Sequence, residues 1–267
     1  MLINKVKHQL GRLRTHLLPV RFDGWLRIYL TLRCNLECPY CVHSHNLAES
    51  QAGAYNLVPW QEWAEFINRT GRNVIFTGGE PFLYPDLVKL LNAIKPEIKI
   101  KLYTNFGLDM REFIKEARRP VTFFGTYHPS SGPVRNFINT IDQLKAAGKF
   151  KGSIHMVGWS RQLDFVKQVQ SQFAAAGWYV YIDNDQYLSA ESSSLTFRRP
   201  AQCLRRIYLI APDGRRFICV SKMLRQKDDL GNVLSKGLGP DLVTVQCAEY
   251  GCCNPCDNLG ETKIVAL

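Results

Sequence analysis

The feature that most constrains this chain is a regular alternation of strand-like and helix-like segments between Trp25 and about Asp185. Six segments rich in β-branched and aromatic residues alternate with five segments of helical apolar spacing. The strand candidates are Leu26–Leu32, Asn73–Thr77, Ile98–Thr104, Val121–Tyr127, Ser153–Val157 and Trp178–Ile182, and the helical segments lie near 60–69, 86–95, 110–118, 134–147 and 161–176. This order predicts an α/β fold with a parallel sheet, functional at the carboxyl ends of its strands. Six units are too few for a complete eight-stranded barrel, so we expect a partial (β/α)6 TIM-like barrel over residues 25–195.

Two regions flank this predicted barrel. Residues 1–24 have apolar side chains at helical spacing with basic residues between them, which predicts a basic amphipathic helix covering one end of the barrel; a membrane surface or a partner is the alternative. Residues 196–267 follow a Ser-rich linker and form a predicted second, small domain. It begins with a hairpin, Ile207–Ala211 and Arg216–Val220, which turns at Pro212-Asp213-Gly214, and it ends in a cysteine-rich loop.

Composition narrows the class of protein. No stretch approaches the about 18 apolar residues that a transmembrane helix needs, and the N-terminus is not a secretory signal. Nine cysteines in a chain without an export signal predict a cytoplasmic protein that binds metal rather than one built on disulfides. The net charge of +11 is divided as +4 over residues 1–24, +3 over 25–195 and +4 over 196–267. It suits an anionic substrate, although a basic but otherwise ordinary surface explains it equally well.

Three cysteines follow the first predicted strand within eight residues, at Cys34, Cys38 and Cys41. A structural zinc site takes four protein ligands, whereas a four-iron cluster on three cysteines leaves one iron open to another ligand. His43 or His45 would supply a fourth zinc ligand, so the three cysteines by themselves leave both kinds of site open.

A glycine turn with a carboxylate follows the second predicted strand. Gly78 and Gly79 would let the backbone approach a ligand closely, and Glu80 can pair with an ammonium group. Alone, this turn is common; one βα unit after a Cys-x3-Cys-x2-Cys loop, it favours an iron–sulfur site.

Together the two motifs resemble those of the radical S-adenosylmethionine (SAM) superfamily, over about residues 26–185. The resemblance implies that Cys34, Cys38 and Cys41 hold a [4Fe–4S] cluster whose open iron binds SAM, which is cleaved to methionine and a 5′-deoxyadenosyl radical. It further implies that the Gly78-Gly79-Glu80-Pro81 motif meets the SAM amino group and that Tyr40 lies near adenine. Asn105, Thr126 and Arg135 match positions where relatives contact SAM. His128, Asp183 and Asp185 lie at the ends of strands and are candidates for substrate binding, although exposed loops explain them too.

Six further cysteines lie in the C-terminal region. The Cys203-x10-Gly214-x4-Cys219 pattern and the Cys253–Cys256 pair resemble the twitch form of the SPASM extensions, which implies an auxiliary [4Fe–4S] cluster on these four cysteines. A second zinc site is the alternative. Cys247 or Cys252 would remain as a hydrogen-atom donor, and Cys252 is an alternative ligand.

An auxiliary cluster favours net oxidation, such as dehydrogenation or cross-linking, whereas a donating cysteine favours epimerisation. The 24 residues before the first strand are too few for a leader-binding domain of roughly 80 residues, which favours a small, anionic sugar, nucleotide or natural product over a ribosomal peptide. We expect an external one-electron reductant of the flavodoxin or ferredoxin type. The alternative of another class is a zinc protein that binds nucleic acid.

Overall fold

The computed structural model describes residues 23–41, 55–158, 163–184, 199–250 and 262–266. The predicted N-terminal helix, apart from its last two residues, lies outside these ranges. The same is true of several candidate site residues, namely His43, His45, Asp185, Cys252, Cys253 and Cys256.

Six parallel strands form the main sheet, as the sequence predicts. They are β1 (Leu26–Thr31), β2 (Val74–Gly78), β3 (Ile100–Thr104), β4 (Thr122–Tyr127), β5 (Gly152–Gly158) and β6 (Val180–Asn184). Each strand pairs with the next one along the chain, in the order β6-β5-β4-β3-β2-β1. All six carboxyl ends therefore point to the same edge of the sheet, where the loops that carry the candidate residues lie.

Five helices connect these strands. They are α1 (Trp60–Thr70), α2 (Leu87–Ala93), α3 (Arg111–Glu116), α4 (Val134–Ala146) and α5 (Leu163–Ala175). Apolar residues recur at helical spacing on the buried face of α4: Val134, Phe137, Ile138, Ile141 and Leu144. Helix α1 ends at Gly71, whose left-handed backbone lets its N–H donate to the Ile67 carbonyl oxygen over 3.1 Å.

The two faces of the sheet differ in composition. On one face, Leu26, Ile28 and Leu30 of β1 are fully buried in the main hydrophobic core. Because strand side chains alternate, Lys101 and Tyr103 of β3 lie on the opposite face, which we call the inner face. This face is more polar and more exposed, as expected for the open interior of a partial barrel.

The predicted hairpin forms, but it extends the main sheet. Strands β8 (Tyr208–Ile210) and β9 (Arg216–Phe217) pair antiparallel, and β8 also runs parallel to β1, so the sheet has eight strands. The return strand ends at Phe217 and not at Val220, because helix α6 (Val220–Leu224) begins there. The division of the chain near residue 196 remains a prediction, although this hairpin is hydrogen-bonded to the barrel strand β1.

A second, three-stranded antiparallel sheet was not expected from the sequence. Strand β7 (Arg199–Arg206) lies between β10 (Leu242–Tyr250) and β11 (Thr262–Ala266), with the short helix α7 (Val233–Lys236) preceding β10. The alternation of Val243, Val245 and Cys247 with polar residues was a strand signal that the cysteine-rich composition obscured. Among the residues described, no helix is both long and apolar enough to cross a membrane.

Candidate metal centre

Three cysteines lie in the loop that follows β1. Cys34 is exposed, Cys41 is half-buried, and Cys38 is buried. The Cys41 N–H donates to the Cys38 carbonyl oxygen over 3.0 Å, which folds the loop back on itself. All six cysteines of the described ranges are thiols rather than disulfides.

The thiols are placed where negative charge is disfavoured without a counter-ion. Burial raises the pKa of Cys34, the Leu36 backbone lowers it, and Glu80, Cys38 and Cys41 raise it further through like charge. Burial also raises the pKa of Cys38, and the Cys41 thiol adds to the rise. Cys34 and Cys38 therefore favour their neutral forms in the metal-free loop, and the positive charge of a bound metal centre would favour their thiolates.

The three cysteines fit a multi-iron cluster by their number. A closed single-ion site takes four protein ligands, whereas a four-iron cluster takes one thiolate on each of three irons and leaves the fourth iron open. Across the described ranges, no group of three or more His, Cys, Asp or Glu side chains is placed to hold a single metal ion.

The two glycines of the second motif pack against the backbone that enters the cysteine loop. A Cβ atom on Gly78 would lie 2.1 Å from the Thr31 carbonyl oxygen, and one on Gly79 would lie 2.1 Å from that of Arg33. The N–H groups of Gly79 and Glu80 donate to these same two oxygens, each over 2.8 Å. The two glycines therefore let the end of β2 pack closely against the cysteine loop. The sequence predicted only that they let the backbone approach a ligand.

Glu80 joins the ends of β2 and β3. The residue is 1% exposed, and its Oε1 accepts from the Thr104 hydroxyl over 2.8 Å and from the Phe82 N–H over 3.1 Å. Its Oε2 accepts from the Asn105 N–H over 2.8 Å. Burial raises the pKa of this carboxyl, and the three donors lower it in part. Pro81 begins the 3-10 turn that follows. The pairing of Glu80 with the SAM amino group remains a prediction.

Asn105 follows β3 and reaches the cysteine loop. Its Nδ2 donates to Asn35 Oδ1 over 2.9 Å and lies 3.8 Å from the sulfur of Cys34. Its Oδ1 accepts from the Gly107 N–H over 2.7 Å, which fixes the amide. The contact of Asn105 with SAM, which the resemblance implies, remains a prediction.

The turn after β4 contacts the cysteine loop at two points. Tyr40 Oη lies 2.9 Å from His128 Nδ1, and the two rings stack at 5.8 Å. Ser130 Oγ lies 3.1 Å from the sulfur of Cys38. Burial lowers the pKa of His128 to about 4, so the ring is neutral at pH 7. His128 was predicted to bind substrate, but the side chain that its ring contacts here is Tyr40. The contact of Ser130 with Cys38 was not predicted from the sequence.

The comparisons with known proteins agree with this geometry. The sequence profile described as the Radical SAM superfamily matches residues 28–162, just over half of the chain.

The chain belongs to the radical SAM superfamily.

Membership implies a [4Fe–4S] cluster and SAM, and the cysteine loop fits such a cluster by its donors and its need for positive charge. Membership in this family contradicts the alternative hypothesis of a zinc protein that binds nucleic acid.

Parts of curated proteins and one solved fold are similar to this chain. The chain is 30% identical over 122 residues to a 7-carboxy-7-deazaguanine synthase from Clostridium acetobutylicum, spanning 44% of this chain and 54% of the relative. It is 35% identical over 105 residues to a GTP 3′,8-cyclase from Campylobacter curvus, spanning 37% and 32%. The chain thus spans about half, or less, of these curated relatives. A structure of native anSMEcpe with bound AdoMet and Kp18Cys peptide shares the fold, with a TM-score of 0.55, 15% identity and coverage of 80% of this chain and 78% of that one.

Aromatic rings line the inner face of this radical SAM barrel across four strands. Tyr103 stacks on Phe124 at 4.8 Å, Phe124 on His155 at 5.6 Å, and His155 on Tyr181 at 5.3 Å. The side chains of Tyr103 and Tyr181 remain 38% and 49% exposed. A stacked and still accessible row of rings is a surface on which a substrate can lie.

His155 is held at both ring nitrogens on this face. Its Nδ1 lies 3.1 Å from Asp183 Oδ2, and its Nε2 lies 2.7 Å from the Ser153 hydroxyl. Sequence analysis named Asp183 but not His155, although Ser153 and His155 stand two residues apart in a strand and therefore share a face. Thr126 is registered beside His155 on β4, and Arg135 is exposed in the first turn of α4.

The described cysteines of the second set lie on three elements. Cys203 lies on β7, Cys247 on β10, and Cys219 at the residue before helix α6. The expectation of Cys219 on a return strand was wrong, because the hairpin ends two residues earlier. The chain is already turning into the helix there.

Proposed function

We propose that this radical SAM enzyme makes its radical at the loop of Cys34, Cys38 and Cys41 and acts on a small molecule held on the inner face. The observation that carries the proposal is the convergence of three strand ends on the cysteine loop, through Glu80, Asn105 and the His128–Ser131 turn. When bound, the cluster and SAM supply one-electron chemistry that removes a hydrogen atom from a substrate. We expect a cytoplasmic enzyme that receives electrons from a flavodoxin- or ferredoxin-type protein.

The chain's own residues would orient SAM around that cluster. Glu80 lies beside Asn105 at the ends of β2 and β3, the edge where the SAM amino group is expected. Tyr40 is held by His128, so its ring has a fixed plane against which adenine would lie. Thr126 and Arg135 follow on β4 and α4, where we propose further SAM contacts.

A small, polar substrate fits the inner face. The row of aromatic rings offers a stacking surface, and the exposed Asp183 carboxylate, which His155 holds in place, offers an acceptor of hydrogen bonds. The net charge of +11 favours an anionic ligand. The names of two relatives refer to a deazaguanine and to GTP, which supports a nucleotide-like substrate over a sugar or another natural product. Asp185, which lies outside the described residues, remains a proposed substrate-binding residue.

We further propose that an auxiliary [4Fe–4S] cluster, bound by C-terminal cysteines, makes the reaction a net oxidation. The proposed ligands are Cys203, Cys219, Cys253 and Cys256. A substrate that has lost a hydrogen atom must lose an electron and a proton to complete an oxidation. The cluster would take the electron, and the Asp183–His155 pair would take the proton.

The alternative functions are maturation of a ribosomal peptide and epimerisation with a cysteine as hydrogen-atom donor. Reconstituted enzyme with SAM and dithionite would be incubated with the low-molecular-mass fraction of a cell extract, and in parallel with the peptide fraction. We expect the small-molecule fraction to raise 5′-deoxyadenosine formation and to yield a product lighter by two hydrogen atoms. Stimulation by the peptide fraction alone would contradict the substrate class. A product whose mass is unchanged in H2O and rises by one unit in D2O would contradict net oxidation.

A further inference from the structure

Two C-terminal cysteines share one face of the small sheet. In the antiparallel pairing of β7 with β10, Cys203 lies opposite Val245 and Ala201 lies opposite Cys247. Residues directly opposite each other, or two apart in a strand, point to the same face. Cys203 and Cys247 are therefore diagonal neighbours, whose positions are typically about 7–8 Å apart.

Cys219 is tied to the same face. Arg205 stands two residues after Cys203 on β7 and is 1% exposed. Its Nη1 donates to the Ile218 carbonyl oxygen over 2.9 Å, one residue before Cys219. A buried guanidinium thus joins the cysteine-bearing face of the sheet to the start of helix α6.

A buried cation stands among these thiols. Lys222 lies in the first turn of α6, is 8% exposed and pairs with Asp228. Its ammonium group also interacts electrostatically with the sulfur atoms of both Cys219 and Cys247. Cys219 and Cys247, which lie on two different elements, are therefore both in the neighbourhood of one ammonium group.

The strand is irregular next to Cys247. The register of β10 on β7 shifts between Cys247 and Tyr250. Such bulges often re-aim a side chain beside a functional site. Cys247 is therefore the last regularly paired residue before the strand is distorted.

We infer that Cys247 is a ligand of the auxiliary iron–sulfur cluster together with Cys203 and Cys219. This rests on the auxiliary cluster of the proposed function and changes the role of Cys247 from hydrogen donor to ligand. Because such a cluster takes four thiolates, only one of the other two proposed cysteines is then needed. A cluster of several metal atoms takes each thiolate on a separate metal atom, so cysteines from three different elements can bind one cluster. Lys222 then offsets part of the negative charge that the thiolates bring.

The test isolates the second cluster. In a full-length chain with Cys34, Cys38 and Cys41 all replaced by Ala, anaerobic reconstitution should leave about four irons and four sulfides per chain, the content of one such cluster. Iron, sulfide, zinc and the electron paramagnetic resonance spectrum after dithionite would be measured. Adding Cys247→Ser should lower the iron severalfold or change the spectrum. Adding Gln246→Ser, on the neighbouring exposed residue of the opposite strand face, should leave both unchanged.

The outcomes separate the two proposals. A triple-Ala protein with no iron, or with zinc in its place, contradicts the auxiliary cluster and the inference with it. A triple-Ala protein with a cluster whose iron content and spectrum are untouched by Cys247→Ser overturns the inference alone. Circular dichroism and the thermal midpoint show whether each variant is folded. If Cys247→Ser unfolds, Cys247→Ala is measured in its place and is held to the same two readouts.

Discussion

His128 connects the chemistry of a single residue to the stability of the whole site. Burial lowers its pKa from an ordinary 6.5 to about 4, so the unfolded chain binds a proton at pH values where the folded chain does not. Stability is complete above pH 6.5 and falls as the pH drops toward 4, by about 3 kcal/mol in all.

We expect His128→Gln to remove this acid-side loss. The measurement is urea unfolding of the metal-free protein at several pH values, taken as the difference between wild type and variant. An equal fall in stability in both proteins, or a His128 resonance that titrates near 6.5, would be evidence against a buried neutral ring.

Ser130 directly contacts Cys38, one of the three cysteines proposed to hold the first cluster. Its hydroxyl lies 3.1 Å from the sulfur of Cys38, and hydrogen bonds to cluster sulfurs raise reduction potentials. Ser130→Ala should therefore make the potential of that cluster more negative, as followed by a redox titration with electron paramagnetic resonance. Ser130→Thr keeps the hydroxyl and should restore the wild-type value. A potential that does not change in Ser130→Ala would show that the contact is absent from the loaded enzyme.

At this scale the sequence predicted what lies in contiguous motifs and missed what depends on tertiary contacts. Cys34 and Glu80 belong to short patterns with fixed spacing, so their neighbourhood could be predicted. Ser130 lies 92 residues from Cys38, and His155 meets Asp183 across 28 residues. Such pairs meet only because of the register of parallel strands and the path of a turn. Neither can be predicted from the pattern of a single sequence.

Among the elements, the contact of β2 with the cysteine loop is the tightest at the site. A Cβ on Gly79 would lie 2.1 Å from the Arg33 carbonyl oxygen, and backbone cannot move aside as a flexible side chain can. Gly79→Ala should therefore displace the cysteine loop and lower the iron bound by the first cluster severalfold, as measured after reconstitution.

Gly71→Ala is the matched control. Its Cβ would meet nothing within 4 Å, so it carries only the cost of a left-handed alanine at a helix end, about 1 kcal/mol. It should bind iron as the wild type does. Equal iron in wild type and Gly79→Ala would mean that the loop does not depend on this contact.

Element boundaries show why predictions from periodicity were good in the barrel and poor after it. Runs of β-branched and aromatic residues placed all six strands within two residues of their observed limits. In the C-terminal region, β9 has two residues and α6 has five, too short to carry a period. Cys219 was therefore predicted on a strand although it precedes a helix.

For the whole molecule, Arg216 of β9 fastens the segment that precedes β10 to the edge of the eight-stranded sheet. Its guanidinium donates to the carbonyl oxygens of Leu238, Pro240 and Ile207, and it stacks over the Tyr208 ring at 4.5 Å. Removing the guanidinium leaves these acceptors unsatisfied, at about 1–3 kcal/mol for each that stays buried.

Arg216→Ala should therefore destabilise the metal-free protein by about 3 kcal/mol or more in urea unfolding. Arg206→Ala, at an exposed position on β7, should leave the midpoint nearly unchanged. A small change in the unfolding midpoint of Arg216→Ala would show that other contacts hold the segment before β10 on the sheet.

The central claim is that Cys34, Cys38 and Cys41 form the centre at which this radical SAM enzyme cleaves SAM. The most direct measurement is the formation of 5′-deoxyadenosine and methionine under dithionite, by anaerobically reconstituted wild type and by the chain with all three cysteines changed to Ala. We predict cleavage by the wild type and none above background by the variant. Equal cleavage by both proteins would contradict the account.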